Sequence, residues 1–199
     1  GGTVSGSGTI SATAYTINPG SGGTATISSI ITNNGNAAVV TKSGNGLGVV
    51  TNTSNSFTGG VLLTGGIYAP GSVAALGDPN DGGNSGTITF QGGAIRHWSA
   101  TQSDTNALYD RYVIPLNSYS WKIDNYTHNI NYQSGDNFGN AGGHTVGFVK
   151  LGSGILEFDE AESYSGLTKI EGGTLLLGAN NMLPSGGVTV SSCLTTACY

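Results

Sequence analysis

The densest set of ionisable side chains in this sequence is the run EFDEAESY, which carries Glu157, Asp159, Glu160 and Glu162. Glycoside cleavage needs two carboxylates flanking one bond, one to supply a proton and one to act as base or nucleophile. Glu157 and Asp159 share one parity on an extended chain and so face one way. The run lies, however, in the variable loop of an internal repeat, whose other copy reads VVTNTSNSF there, without a carboxylate. A solvated loop that lends solubility accounts for it. The stretch GDPNDGGNSG sets Asp78, Asn80 and Asp81 ahead of two glycines, as a calcium loop would. Such a loop needs more oxygen ligands and a closing Glu, and turn chemistry alone explains Asp-Pro-Asn-Asp-Gly. His97, His128 and His144 are scattered without metal-ligand spacing. Serine is so frequent that any Ser–His–Asp match carries no information. The expectation is a protein that is not an enzyme and uses no cofactor or metal.

Aromatic residues are the remaining binding chemistry. Residues 98–132 hold Trp98, Tyr109, Tyr112, Tyr119, Trp121, Tyr126 and Tyr132, whereas the flanking segments hold few. Trp121, Ile123, Ile130 and Tyr132 suit an interior, with the others covering a loop excursion. If exposed instead, Trp98, Tyr109, Tyr112 and Tyr119 would form a platform for sugar rings or for a protein partner, since each joins apolar area to a polar tip. Cys193 and Cys198, in CLTTACY, are a candidate disulfide closing a small loop in an oxidising compartment, or else two free thiols.

These groups sit in a chain of 199 residues, long enough for one sizeable domain, with 35 glycines and only 9% charged residues. Low charge argues against an expanded disordered chain, and no Gly-X-Y period points to collagen. The net charge is −5 and the six Lys and Arg never cluster, so nucleic acid is a poor partner. No apolar run approaches the roughly 20 residues of a membrane helix, so no transmembrane segment is expected. The opening GGTVSGSGTIS lacks the layout of a signal peptide, which fits a segment of a longer exported protein whose leader has been removed.

Helical periodicity is nearly absent. Short apolar bursts bounded by Gly, Asn, Ser or Asp read as strands: TATISSIIT (24–32), GVLLTGGIYA (60–69), GTITFQGGAIRHW (86–98), HNINYQ (128–133) and GGTLLLGA (172–179). NALYD and NNMLPS each have room for one helical turn. The chain also repeats itself. Lys42, Gly44 and Gly46 recur as Lys150, Gly152 and Gly154; Ser56, Phe57 and Gly59 recur as Ser163, Tyr164 and Gly166; Gly65–Gly66 recur as Gly172–Gly173. A recurrent strand–turn unit that cannot bury its own apolar face stacks on its neighbour, which makes a solenoid. The expectation is one β-solenoid over residues 1–199, with repeat blocks at about 41–96 and 149–190 and a less regular stretch at 97–148 between them. Coils of roughly 20 residues would build a rod on the order of 45 Å long.

The units TKSGNG…NSFTGGVLLTGG, GTITFQGGAI and VKLGSGILEF…ESYSGLTKIEGGTLLLG resemble the autotransporter-associated β-strand repeat of bacterial surface proteins. YSWKIDNYTHNINYQ is similar to the Asp-Asn turn segment that precedes the family's Lys-x-Gly-x-Gly signature. Together these cover residues 40–190, and the chain departs from the pattern at Gly48 and in its cysteine tail. The resemblance implies an all-β fold, a right-handed parallel β-helix, exported and held at the cell surface or shed. The function expected on this basis is structural: a stretch of a bacterial surface adhesin, or a fibre subunit. Its partners would be further repeats or other copies end to end, and a glycan or cell-surface partner is open to it. A carbohydrate-binding surface module using the aromatic stretch 98–132 is the alternative. A polysaccharide lyase or hydrolase β-helix comes third.

Overall fold

The computed structural model of the chain describes residues 1–78, 86–113, 119–140 and 143–191. In it the Val-, Ile- and Thr-rich bursts become strands of two to five residues, all of whose pairings are parallel. TATISSIIT divides at Ser28–Ser29 into Thr24–Ile27 and Ile30–Asn33, and GVLLTGGIYA divides at its glycines into Val61–Leu63 and Ile67–Pro70. Each division is a corner where the chain passes to another face. Parallel pairing of successive short strands through such corners is a β-solenoid.

The coil has three sides. One is a continuous nine-stranded sheet, in order Gly2–Val4, Thr24–Ile27, Leu47–Val50, Ile67–Pro70, Ala94–Arg96, Ser120–Asp124, Gly147–Leu151, Thr168–Ile170 and Val188–Val190. The second side begins as the pair Thr9–Ala12 and Ile30–Asn33, and ends as Ile130–Tyr132, Ile155–Phe158 and Thr174–Leu177. Between them it carries a 3-10 turn, Val73–Leu76, and an α-helix, Gln102–Tyr109. The helix starts where the Thr101 hydroxyl accepts the Asp104 N–H at 3.3 Å, an N-cap, and it turns Thr105 and Leu108 inward. It takes in the Asn106–Tyr109 part of NALYD, whereas NNMLPS forms turns. The third side is the five-stranded sheet Ala14–Ile17, Val39–Lys42, Val61–Leu63, Ile88–Phe90 and Tyr112–Val113.

Coil length varies. Leu47 pairs with Ile67 and Phe148 with Thr168, coils of 20 residues, but Ile95 pairs with Ile123, a coil of 28. The extra residues form the helix excursion. Nine rungs at about 4.8 Å separation span about 38 Å, shorter than a uniform 20-residue coil would give.

The interior is apolar and, through the middle coils, aromatic. Phe138 lies 5.3 Å from Trp121, 4.8 Å from Tyr132, 4.9 Å from Phe148 and 5.7 Å from Phe158, measured between ring centroids. These edge-on and tilted contacts suit aromatic quadrupoles and stack one coil on the next. Trp121, Ile123, Ile130 and Tyr132 are all buried here.

The two copies of the repeat occupy different sides. Lys42 ends a strand of the five-stranded sheet, whereas Lys150 belongs to the nine-stranded sheet. From Leu47–Val50 the long sheet advances four coils to Gly147–Leu151, and the counterpart of Leu47–Val50, Ile155–Phe158, is one side further on. The repeated unit is therefore a corner with its flanking strands, and its period is four coils plus one side. Any corner of a three-sided coil accepts the same turn.

Candidate functional site

The chemistry of the Lys-x-Gly-x-Gly motif is spent inside the fold. Lys42 is fully buried, and its Nζ donates to the carbonyls of Ser43 at 2.6 Å, Gly44 at 3.1 Å and Gly65 at 3.0 Å. Lys150 repeats this one side further round. Its Nζ donates to Leu151 O at 3.2 Å, Gly152 O at 3.0 Å, Gly172 O at 2.8 Å and Asn125 Oδ1 at 3.0 Å. A tight corner leaves carbonyls turned away from the ladder, and a buried acceptor without a donor is costly. One ammonium satisfies the corner of its own coil and the Gly-Gly corner of the next. Burial lowers both lysines to about 8. Gly66 and Gly173, at φ 58° and 61°, complete the joint: a Cβ on Gly173 would stand 2.3 Å from Gly154 O.

The Asp-Asn turn serves the same corner. Asn125 is buried and donates to His128 O at 2.6 Å and Ile155 O at 3.0 Å. Asp124 accepts the Tyr126 N–H at 2.7 Å through Oδ1 and pairs with Arg96 Nε at 2.7 Å through Oδ2. The Arg96 guanidinium lies 4.7 Å from the centre of the Tyr126 ring, and Tyr126 itself is half exposed at a positive φ of 53°.

Of the four aromatic residues named as a candidate platform, two associate and a third packs on the same core. Tyr109 and Tyr112 are 5.7 Å apart, and Trp98 packs on the same core partly buried. The Tyr109 hydroxyl donates to Asn137 O at 2.6 Å, and that of Tyr112 meets the Tyr132 hydroxyl at 3.3 Å. Tyr132 in turn bonds His97 Nε2 at 2.7 Å. Burial raises all three tyrosine pKa values and drops His97 to about 3, so this chain of groups is neutral. Tyr119 stands apart and is exposed.

The acidic run does not act as one group. Glu157 sits on the outer side of Ile155–Phe158, paired with Asn131 and Leu176. Asp159 accepts from Asn131 Nδ2 at 2.9 Å and Glu160 from Ser134 Oγ at 3.3 Å. Glu162 departs from the expected solvated loop: it is buried, its Oε2 accepts the Phe138 N–H at 2.6 Å, and its Oε1 has no partner. Burial, and then Glu160 and Asp136, push it up to about 8. Its role is to join the loop of one coil to Phe138 in the coil before.

Among the described residues no three His, Cys, Asp or Glu side chains are placed to hold a metal ion, and no helix is long and apolar enough to cross a membrane. Asn80, Asp81, Cys193 and Cys198 lie outside the described residues.

One surface was not singled out from the sequence, because its parts are dispersed along the chain. The outer side of the nine-stranded sheet carries an apolar strip of Leu47, Ile67, Ala94, Val149 and Leu151, separate from the interior core. Lys122, Val149 and Lys169 stand in one row across adjacent rungs, with Arg96, Asp124 and Leu151 in a parallel row. Two adjoining hollows open there, of about 280 Å³ and 320 Å³, sharing Lys122, Val149 and Glu171. Lys122 Nζ donates to Gly92 O at 2.7 Å, and burial lowers its pKa.

Compared with protein-family models, curated proteins and solved structures, the chain matches none. The resemblance to the autotransporter-associated β-strand repeat rests on the corner motifs themselves.

Proposed function

We propose that this chain is a non-catalytic structural rod, a stretch of β-solenoid from an exported bacterial surface protein of the adhesin or fibre type. One observation carries the reading: among the described residues, the first and last strands of the long parallel sheet each pair on one side only. Among the described residues, Gly2–Val4 pairs only with Thr24–Ile27, and Val188–Val190 pairs only with Thr168–Ile170. Val4, Val188 and Val190 are 46%, 51% and 74% exposed. An open parallel edge accepts another strand in the same register, from a further coil or from a second copy. Head-to-tail stacking of copies does not close on itself and so extends into a filament. The polar groups also fit a structural role, since Lys42, Lys150 and Asn125 are committed to corner carbonyls.

Electron microscopy of the purified chain, with and without reductant, tests the proposal. Filaments would make the open ends the assembling surfaces, and their loss on reduction would place Cys193 and Cys198 at the joint. Separate short rods would identify a segment normally continued by more coils. Turnover of a polysaccharide, abolished by Glu157→Gln with Asp159→Asn, would overturn the non-catalytic reading.

A further inference from the structure

We propose that the outer face of the nine-stranded sheet binds a linear, carboxylate-bearing polysaccharide. The first argument is the distribution of positive charge. The chain carries −5 overall and has six Lys and Arg. Lys42 and Lys150 are sealed inside, and Arg111 donates to Gly86 O beside the third side. The other three, Arg96, Lys122 and Lys169, all belong to strands of the long sheet and share its outer face. Of the four Lys and Arg that are not buried, three thus share one strip, and Arg111 stands apart from it.

The nearby carboxylates leave one cation of that strip, Lys122, without a direct ion pair among the described residues. Asp124 is 2% exposed and held by Arg96 at 2.7 Å. Glu171 lies 3.9 Å from Lys169. Lys122, between the two hollows, donates to Gly92 O and has no carboxylate within 4 Å among the described residues, although the charge of Glu171, which lines both hollows and pairs with Lys169, acts on it. An incoming carboxylate finds its counter-ion there, in a partly desolvated setting where the interaction is strengthened.

Shape selects a chain over a compact ligand. The hollows lie side by side along the solenoid, each near the roughly 300 Å³ lower bound of small-ligand sites. Both are lined by apolar Val149 and one also by Leu151; Asn45, Thr64, Ser120 and Thr145 add polar groups, and Glu171 is the one carboxylate in the lining of either. That combination suits sugar rings, which show apolar faces and hydroxyl edges. Rungs recur at about 4.8 Å, commensurate with the rise per sugar of an extended polysaccharide. Lys122 and Lys169 are two rungs apart, about 10 Å, and meet alternate carboxylates. Tyr126, half exposed and steadied by Arg96 at the margin of this face, offers a ring for stacking.

The test is affinity electrophoresis of the whole chain in gels containing polygalacturonate, with dextran as the neutral control, followed by titration calorimetry with oligogalacturonate. Retardation is expected in polygalacturonate and not in dextran, weakening as salt rises. Lys169→Glu, at an exposed position, is expected to weaken binding about tenfold with an unchanged melting temperature. Lys122→Gln with Lys169→Glu is expected to abolish it, and Leu176→Ala, exposed on the second side of the coil, to leave it intact. Absence of retardation, equal retardation by dextran, or full affinity in Lys169→Glu would each overturn the proposal. None of these outcomes bears on whether the chain forms rods or filaments.

Discussion

Replacing Lys150 by Met isolates the contribution of the buried corner ammonium. Met keeps an unbranched stem of similar length, so the packing of the corner is largely retained. Three acceptors, Asn125 Oδ1, Gly152 O and Gly172 O, lose the lysine donor, and Leu151 O is left with the Asn125 N–H at 3.3 Å. Hydrogen bonds to a charged donor contribute about 1.5–3 kcal/mol each, while burying an ammonium costs several kcal/mol that Met recovers. The bonds exceed the recovery, and a net loss of about 3–5 kcal/mol is expected, as when one partner of a buried charged group is removed. Lys42→Met takes the lysine donor from three carbonyls, Ser43 O, Gly44 O and Gly65 O, and should cost about 2–4 kcal/mol. The assay is urea unfolding, read as a lower midpoint at constant slope, with Lys169→Met as the exposed control. Because each coil of a solenoid contacts only its neighbours, hydrogen exchange should rise first in 120–133 and 147–177. A Lys150→Met chain within about 0.5 kcal/mol of the Lys169→Met control would refute the corner argument.

The pH dependence of stability separates Glu162 from the lysines. Glu162 is raised from 4.5 to about 8, so the folded chain holds a proton that the unfolded chain releases. Its contribution is complete below pH 4.5 and is lost as pH rises through 8; Glu162→Gln should flatten the decline in urea midpoint over that window. Lys42 and Lys150 are lowered from 10.5 to about 8, so the unfolded chain binds more protons and stability should climb from pH 8 to 10.5; Lys42→Met with Lys150→Met should remove that rise. Phe138→Ala, in the middle of the aromatic stack, should cost about 3–5 kcal/mol by thermal unfolding, whereas exposed Tyr119→Ala should stay within about 0.5 kcal/mol. Gly173→Ala, which sets a Cβ against Gly154 O at positive φ, should cost at least about 2 kcal/mol in urea midpoint.

The class of fold is written locally and can be read locally. Strand bursts of three to five residues and Gly-Gly corners are properties of neighbouring residues, because side-chain alternation and turn dihedrals are set within a few bonds. Lys-x-Gly-x-Gly with its later Gly-Gly stood out for the same reason: the lysine and its turn are adjacent in sequence, and the second corner follows at nearly the same interval, 23 residues after Lys42 and 22 after Lys150. The side on which each corner falls is not local. Coils of 20 and 28 residues close the same triangle because the longer one spends its surplus on a helix. The spacing of Lys42 and Lys150 therefore revealed the repeated corner without its phase. Glu162 and Phe138 show the same limit, since a loop residue is drawn inside only when the preceding coil brings Phe138 N–H within 2.6 Å of its carboxylate. Arg96, Lys122 and Lys169 look unrelated along the chain and share one strip because parallel stacking sets Lys122 and Lys169 in one row and Arg96 in the parallel row beside it. Sequence order carries what each coil is made of; the register between coils, a long-range hydrogen-bonding choice, carries which side chains meet.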